Sequence, residues 1–429
     1  MEKQLIPAGY KQTEVGVIPE SWRIGSLDNF WNVTDCKHVT AKFVPNGYPL
    51  ASIQEVQSRF VDLTDAKQTT YEFFKLLTDG GRKLETGDLL LSRNATVGEV
   101  AQVMDWHPEF AMGQDVCLLR RKNKDDSPVF LQELFSFSTI KNQLDDCMVG
   151  TTFKRVNVKQ IKALIVQMPG HQEQTAIANA LSDIDALIAA LEKFINKKSA
   201  IKTAAMQQLL TGKKRLPPFD QLNTGCKQTE LGEIPGDWEV ASLGEIGETI
   251  IGLTYSPNDV SDFGTLVLRS SNVQNNRLAF DNNVFVNMVL PDRVIVREAD
   301  VLVCVRNGSR QLIGKCALID AKTAGCAFGA FMSIYRSKNS RFVFYQFQSN
   351  IIQDQINEVM GATINQITNK DMASFRIPLP RDEKEQTAIA NVLSDIDREI
   401  EALQQRLHKT QQIKQGMMQE LLTGKTRLI

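Results

Sequence analysis

The sequence has few of the residues from which catalytic and metal sites are usually built. Only four histidines occur among 429 residues, and the seven cysteines form no C-x-x-C pair. We therefore expect no metal site and no Ser/His or Cys/His catalysis, and the odd, scattered cysteines predict reduced thiols. The sequence has no apolar run of about 18 residues and no signal-peptide h-region at its start. These absences predict a cytoplasmic protein that does not enter a membrane.

The sequence also lacks the motifs that mark common enzyme classes. No G-x-G-x-x-G follows a predicted strand, and the Asn-Pro-Pro-aromatic tetrapeptide of amino-methyltransferases does not occur. The GKT at 424–426 resembles the end of a phosphate-binding loop, but Gln419 stands where that motif requires glycine. Asp382 and Lys384 match a D-x-K nuclease fragment without a convincing second acid upstream. We therefore predict that the chain is not an enzyme by itself.

The most informative feature is an internal duplication. Residues 11–27 (KQTEVGVIPESWRIGSL) return at 227–243 (KQTELGEIPGDWEVASL), and residues 173–216 return at 385–428 with 27 identities in 44 positions. The sequence is therefore two fused copies of one unit, each about half of the chain. The interiors of the copies have diverged, which is typical of one scaffold carrying two different readers, but also of drifting surface loops.

Each copy ends in a long predicted helix. Apolar residues recur at alternating spacings of four and three from Ile177 onward, and again from Ile389 onward, which is the heptad pattern of a coiled coil. The pattern is interrupted at matching polar residues, among them Lys202 and Lys414. We expect the two helices to pair antiparallel, with these polar positions fixing the register. Two amphipathic helices lying on separate domains are the alternative.

The interiors contain strand-like runs, among them ASIQEV (51–56) and VCLLRR (116–121), together with short helical stretches. The predicted fold class is α+β, with two tandem α/β globules, each followed by a long helix, and the helices paired as an antiparallel coiled coil with pseudo-twofold symmetry. The expected segments are a globule at 1–172, a helix at 173–212, a linker at 213–226, a globule at 227–384 and a helix at 385–424.

The net charge of −1 gives no global sign of nucleic-acid binding, so any such binding must come from local patches. Loops after predicted strands offer the side chains that contact phosphates and base edges. These loops recur at matching places in the two copies. SIQEVQSR (52–59) corresponds to RSSNVQNNR (269–277), and GDLLLSRN (87–94) corresponds to ADVLVCVRN (299–307). Ordinary solvated turns are the alternative. The candidate DNA-contacting residues are Gln54, Gln57, Arg59, Ser92, Arg93, Asn94, Thr152, Lys154, Arg155, Arg269, Ser271, Asn272, Gln274, Arg306, Asn307, Ser309, Arg310, Asn365 and Gln366.

The sequence resembles the specificity (S) subunits of bacterial type I restriction–modification systems, the HsdS family. The resemblance covers essentially the full chain. It rests on KQTEVGVIPESW and EQTAIANALSDID…MQQLLTGKKRL with their copies, on the GDLLLSRN strand and loop, and on the run IPLPRDEKEQTAIA at 377–390. The first copy has MPGH at 168–171 where the second has a Pro-Leu-Pro run, which leaves open where the first helix begins.

This resemblance implies that the globules are target recognition domains, each reading one half of an asymmetric, bipartite site in double-stranded DNA, and that the helices set the gap. It implies that two adenine-N6 methyltransferase (M) subunits dock on the framework, joined by restriction (R) subunits when the complex cleaves DNA in phage defence. No cofactor is expected on this chain, because S-adenosylmethionine, ATP and Mg²⁺ belong to the partners. The alternatives are a stand-alone, two-headed DNA-binding regulator and a coiled-coil adaptor whose heads bind protein.

Overall fold

The computed structural model describes residues 6–148, 155–222, 224–360 and 365–428. The chain forms two compact units: unit 1 comprises residues 1–192 and 405–429, and unit 2 comprises residues 193–404. Neither unit is a single sequence repeat. Each contains one globule, the first half of one long helix and the second half of the other, because the unit boundaries fall within the helices.

Unit 1 is built from short strands and helices around a small antiparallel sheet. In that sheet Val116–Arg121 lies between Trp31–Asp35 and Leu89–Ser92, and Val100–Gln102 forms the far edge. The remaining strands are Tyr10–Thr13, Gly16–Pro19, Arg23–Ser26, Phe43–Val44, Tyr48–Ala51, Gln68–Thr69, Ala111–Met112 and Ile165–Met168. The shorter α-helices are Leu27–Phe30, Tyr71–Thr78, Pro128–Ser136, Ser138–Cys147 and Val158–Ala163.

Unit 2 repeats this plan. Its central sheet has Met332–Arg336 between Glu248–Ile251 and Val301–Cys304, with Cys316–Leu318 at the edge. The other strands are Cys226–Thr229, Gly232–Pro235, Trp238–Ser242, Val260–Ser261, Thr265–Leu268, Val273–Gln274, Arg277–Leu278, Phe285–Val286, Ala327–Phe328 and Arg376–Pro380. The shorter α-helices are Leu243–Ile246, Ser340–Phe347, Asn350–Val359 and Asn369–Ser374.

A second four-stranded sheet in each unit carries one parallel pair that positions the loops discussed below. Tyr48–Ala51 runs parallel to Ala111–Met112, and Thr265–Leu268 runs parallel to Ala327–Phe328. The predicted strand at 51–56 is therefore wrong in its bounds, since the strand ends at Ala51 and a 3-10 turn follows at Gln54–Val56. The α+β fold class is confirmed.

The two long helices are His171–Leu209 and Glu383–Leu421, against the predicted 173–212 and 385–424. The first two heptad residues of each helix are buried, since Ile177, Leu181, Ile389 and Leu393 are each at most 1% exposed, and the next ones, Ile184 and Ile396, are half-buried. No helix among the described residues is long and apolar enough to cross a membrane.

The polar interruptions of the heptads form the predicted antiparallel contacts. In unit 1, Lys414 Nζ lies 2.7 Å from Asp185 Oδ1, and in unit 2, Lys202 Nζ lies 2.7 Å from Asp397 Oδ1. Lys198 Nζ lies 2.5 Å from Glu399 Oε2, so higher numbers on one helix meet lower numbers on the other. A half-buried lysine between the two helices is stable only beside a carboxylate, so these ion pairs specify the register of the helices.

The segment after each long helix closes onto a globule through matching buried contacts. In unit 1, Glu173 accepts hydrogen bonds from Trp22 Nε1 at 2.9 Å and from Arg427 Nε at 2.6 Å. In unit 2, Glu385 likewise accepts from Trp238 Nε1 and from Arg215. These charge-assisted contacts explain why the TGK-x-RL ending follows both helices, since its arginine neutralises the buried glutamate.

Candidate nucleic-acid interface

The polar loops predicted from the unit 2 sequence come together at one end of its central sheet. Asn307 Nδ2 donates to Ser270 Oγ at 2.8 Å, which joins the loop after Val301–Cys304 to the loop after Thr265–Leu268. Asn365 Nδ2 donates to Gly308 O at 3.0 Å and adds the segment before helix Asn369–Ser374. The structure therefore assembles, from three distant parts of the sequence, one surface of hydrogen-bonding groups.

Arg306 is the most available cation of this surface. Its side chain is exposed, and its guanidinium lies 5.1 Å from the ring centroid of Phe331, which is itself 55% exposed. Among the described residues no carboxylate forms an ion pair with it. Stacking on an aromatic ring holds the guanidinium in place while leaving its donors free, which suits a phosphate or a base edge. Ser309, Arg310, Gln274 and Gln366 are also exposed.

A cavity of about 400 Å³ opens beside Phe331. Two of the residues that line it have a buried polar atom, Arg269 Nε or Ser271 Oγ, without a hydrogen-bond partner among the described residues. The Arg269 Nη2 atom donates to Asn282 Oδ1 at 3.0 Å, so the side chain is anchored at its tip. Buried polar groups are normally hydrogen-bonded, so these two atoms are exceptions in the wall of the cavity.

Asn272 has a different place from the one that the sequence suggested. It is fully buried, its Oδ1 accepts from Arg269 N at 3.0 Å, and its Nδ2 donates to Ala279 O at 2.9 Å. Glu55 has the same role in unit 1, where its carboxylate accepts a hydrogen bond from the backbone Ser52 N at 2.7 Å. Asn272 therefore shapes its loop and is removed from the residues that could reach DNA.

In unit 1 the corresponding loops also converge. Gln57 is exposed, and its Nε2 donates to Thr96 Oγ1 at 2.8 Å, which joins the loop after Tyr48–Ala51 to the loop after Leu89–Ser92. Asn94 pairs through an isolated antiparallel bridge with Arg155, which is 53% exposed. Gln54 is exposed on the same surface, while Ser92 is buried and bonds to Asn94 O. Thr152 and Lys154 lie outside the described residues.

Arg93 is not available for a base contact, contrary to the prediction. It is 2% exposed, and its Nη2 lies 2.6 Å from Asp35 Oδ1. The backbone pairing explains the error: Val156 N donates to Arg93 O as Ile367 N donates to Val305 O. The structural counterpart of Arg93 is therefore the buried Val305, and aligning the two Arg-Asn pairs by sequence was wrong by one residue.

Arg59 is also turned away from the loop surface. Its Nη2 donates to Ser182 Oγ at 2.5 Å, and its Nη1 lies 3.4 Å from Asp185 Oδ2, both on the first long helix. Arg277, which the sequence did not single out as a site residue, occupies the matching place in unit 2 and donates to Asp397 O at 2.9 Å. Both arginines connect a surface loop to a long helix, so Arg59 is a framework residue.

Arg93 also bears on the expectation of no metal site. Asp35, Cys36 and His38 bring potential ligand atoms within 4.8 Å of one another, although the sequence spacing had suggested no such group. The Arg93 guanidinium already lies against Asp35 and 3.8 Å from Cys36 Sγ. Burial raises the pKa of the Cys36 thiol, which keeps it protonated. The protein thus already supplies a cation, the Arg93 guanidinium, against the Asp35 carboxylate of this group.

Two residues that sequence reasoning missed lie at the centre of the surfaces. Asp115 and Phe331 each precede the central strand of their unit, and each accepts a backbone hydrogen bond from the residue after a neighbouring strand, Arg93 or Val305. Their side chains differ, one acidic and one aromatic. The signal was present in the sequence, because aligning the strands that begin at Val116 and Met332 places these two residues opposite each other.

Comparison with known proteins agrees with this architecture. The family described as type I restriction modification DNA specificity domain matches residues 10–203 and 235–415. The chain is 30% identical over 98% of its length to a putative type I restriction enzyme MjaX specificity subunit of Methanocaldococcus jannaschii, covering 97% of that protein. It is 25% identical over 96% of its length to the MjaVIII specificity subunit of the same organism, covering 94% of it.

Solved structures share the fold. The S subunit of a type-I restriction-modification system from M. genitalium superposes with a TM-score of 0.58 at 15% identity, covering 93% of this chain and 96% of that one. A chain from a study of complex assembly and conformational transition of the type I R-M system gives a TM-score of 0.55 at 17% identity, covering 95% and 99%. The family match spans both repeats, and the chain belongs to the family of type I restriction–modification DNA specificity subunits.

Proposed function

We propose that the globules of units 1 and 2 each read one half of an asymmetric, bipartite sequence in double-stranded DNA, and that the long helices set the gap between the half-sites. The observation that carries the proposal is that equivalent loops, joined by equivalent contacts, present different side chains. Gln57 meets Thr96 in unit 1 where Asn307 meets Ser270 in unit 2. A shared scaffold with different surface groups is what two readers of different half-sites require.

The chain's role in catalysis, in this proposal, is to position partners. Two adenine-N6 methyltransferase subunits would dock on the repeated framework, and restriction subunits would join them for ATP-dependent cleavage. S-adenosylmethionine, ATP and Mg²⁺ would be bound by those subunits. The net charge of −1 supports this division of labour, because a protein that bound DNA alone would need more of the phosphate contacts itself.

The test is to co-express the chain with the methyltransferase subunit of its own system and to map N6-methyladenine by long-read sequencing. We expect methylation of one gapped motif with two different halves, and co-elution of the two proteins. The matched control is the same chain with the 30–165 interior exchanged for that of another family member, which should change one half of the motif only. A chain that binds DNA sequence-specifically without retaining the methyltransferase would instead be a stand-alone regulator, and a change in both halves would refute independent readers.

A further inference from the structure

An isolated β-bridge lies at the centre of the loop surface in each unit. Asn94 faces Arg155 in unit 1, and Arg306 faces Gln366 in unit 2, both antiparallel. Buried residues anchor the bridges, since Val156 and Ile367, which come directly after Arg155 and Gln366, are at most 1% exposed. The next residue in each chain segment, Asn157 or Thr368, is the N-cap of a short helix with a full capping box. The four side chains therefore project from a fixed backbone.

Each bridge pairs one arginine with one carboxamide, but the two types have changed places. The arginine leads from the bridge into the short helix in unit 1, and it follows a sheet strand in unit 2. Arg155 and Arg306 are exposed, Gln366 is exposed, and Asn94 is half-buried. Among the described residues, Asn94 Oδ1 accepts a local hydrogen bond from Ala95 N, and the Asn94 amide group forms no hydrogen bond as a donor.

Although they come from opposite sides of the bridge, both guanidinium groups rest on the same structural position. Arg155 Nη2 lies 3.6 Å from Asp115 Oδ1, and the Arg306 guanidinium lies 5.1 Å from the ring centroid of Phe331. Asp115 and Phe331 are equivalent residues at the start of the central strands. The guanidinium group thus contacts the same position of the fold in both units, although a different bridge residue supplies it. This indicates that an oriented guanidinium is required at this position.

We propose that these bridge pairs are the base-reading residues of the two units: Arg155 and Arg306 each read a guanine, and Asn94 and Gln366 each read an adenine, in their respective half-sites. The inference rests on the proposed function and specifies its contacts. Arginine matches the O6 and N7 acceptors of guanine, and Asn or Gln matches N6 and N7 of adenine. Side chains that face each other across a bridge start about 5 Å apart, and stacked base pairs are about 3.4 Å apart, so one pair can reach neighbouring base pairs.

The experiment uses the chain in complex with its methyltransferase subunit and a panel of duplexes in which each base pair of the methylated motif is replaced in turn. Arg306→Ala should remove discrimination at a single G·C pair of one half-site, a loss of about 5- to 150-fold in preference over the replaced pair. Arg155→Ala should do the same in the other half-site. Gln366→Ala and Asn94→Ala should each relax one A·T pair. The matched controls are Lys322→Ala and Lys124→Ala, which remove exposed charges at the far ends of the same sheets and should leave every preference unchanged.

A conservative variant separates base reading from charge. Arg306→Lys keeps the charge but loses the two-pronged geometry, so discrimination at the same G·C pair should stay impaired. Weakening that is uniform across all duplexes, or that lysine fully restores, would identify a phosphate contact and overturn the proposal. So would an unchanged base preference in both arginine variants. A wild-type complex that shows no gapped motif at all would instead refute the proposed function, which distinguishes the two failures.

Discussion

The proposal that the long helices set the gap between the half-sites can be tested by lengthening both helices together. The insertions belong between residues 192 and 193 and between residues 404 and 405, where the two compact units divide. Seven residues preserve the heptad stripe and leave the Lys414–Asp185 and Lys202–Asp397 pairs intact within their units. Insertions at these points therefore change the length of the helices without changing the contacts that hold each globule to them.

The expected change in the gap follows from the rise of the α-helix per residue and the rise and twist of the DNA duplex per base pair. One heptad adds about 10.5 Å, equivalent to about 3 base pairs, but those base pairs also rotate the far half-site by about 105° around the duplex. Three heptads add about 31.5 Å, or about 9 base pairs, which is close to one turn of about 10.5 base pairs. We therefore expect the one-heptad variant to lose methylation of the native motif. The three-heptad variant should methylate the same half-sites across a gap about 9 base pairs longer.

The assay is methylation by the complex on a library in which the two half-sites are separated by every gap from the native length to about 12 base pairs more. A variant in which the same heptad replaces a native one, without added length, controls for the inserted sequence. If the three-heptad variant still prefers the native gap, the helices do not measure the distance, and this part of the proposed function fails.

Further predictions concern the contacts around the helix seam and the loops. Lys414→Met should lower the free energy of unfolding by about 1–2 kcal/mol, because Asp185 and Glu133 lose one cation and keep Arg59, whose Nη1 lies 3.4 Å from Asp185 Oδ2 and 3.7 Å from Glu133 Oε1. Lys202→Met should lower it by a similar amount, because Asp397 loses its lysine and keeps the hydrogen bond from Tyr345 Oη at 3.0 Å; urea unfolding measures both. Burial raises the pKa of Glu133, so its contribution to stability is present below its ordinary pKa of 4.5 and lost as the pH rises through the folded value. Glu133→Gln should therefore raise the unfolding midpoint at pH 7 relative to wild type, and the gain should vanish near pH 4.5; a gain independent of pH would contradict this. Arg93→Ala should cost about 1–3 kcal/mol, because the partly exposed Asp35 loses its buried guanidinium partner and keeps only His38, 3.4 Å away. Base preferences should be unchanged in the fraction that folds, and altered base preferences would contradict the assignment of Arg93 to the framework.

Much of this architecture could be predicted from the sequence because the duplication is preserved where the framework needs it. Glu173 and Arg427 bond to each other, as do Glu385 and Arg215, which are their copies in the other unit. The lysines that interrupt the heptads form ion pairs with carboxylates on the other long helix, as an antiparallel register requires. These features depend on periodicity and repetition, which a sequence displays directly.

The candidate site was harder to predict because the inward or outward direction of a side chain changes with every residue along an extended segment. Matching Arg93 to Arg306 by their Arg-Asn pairs was off by one residue, and that single step separates a buried ion pair from an exposed cation. Arg59 was misassigned for another reason. Its partner Asp185 is 126 residues away, so nothing in the local pattern shows that the loop faces a helix.

The C-terminal segment that completes unit 1 has a consequence for how the protein is made. Leu422 is fully buried in the core of unit 1, Tyr10 Oη donates to Gly424 O at 2.9 Å, and Arg427 neutralises Glu173. The globule of unit 1 therefore lacks these contacts until residues 422–427 have been synthesised, which happens after all of unit 2. At about 5–20 residues per second, the 235 residues between 192 and 427 take roughly 12–47 s to be added. During that time the apolar surface around Trp22 stays uncovered, so unit 1 cannot finish folding until unit 2 has been synthesised. Nascent chains released before then would expose this surface to aggregation and proteolysis.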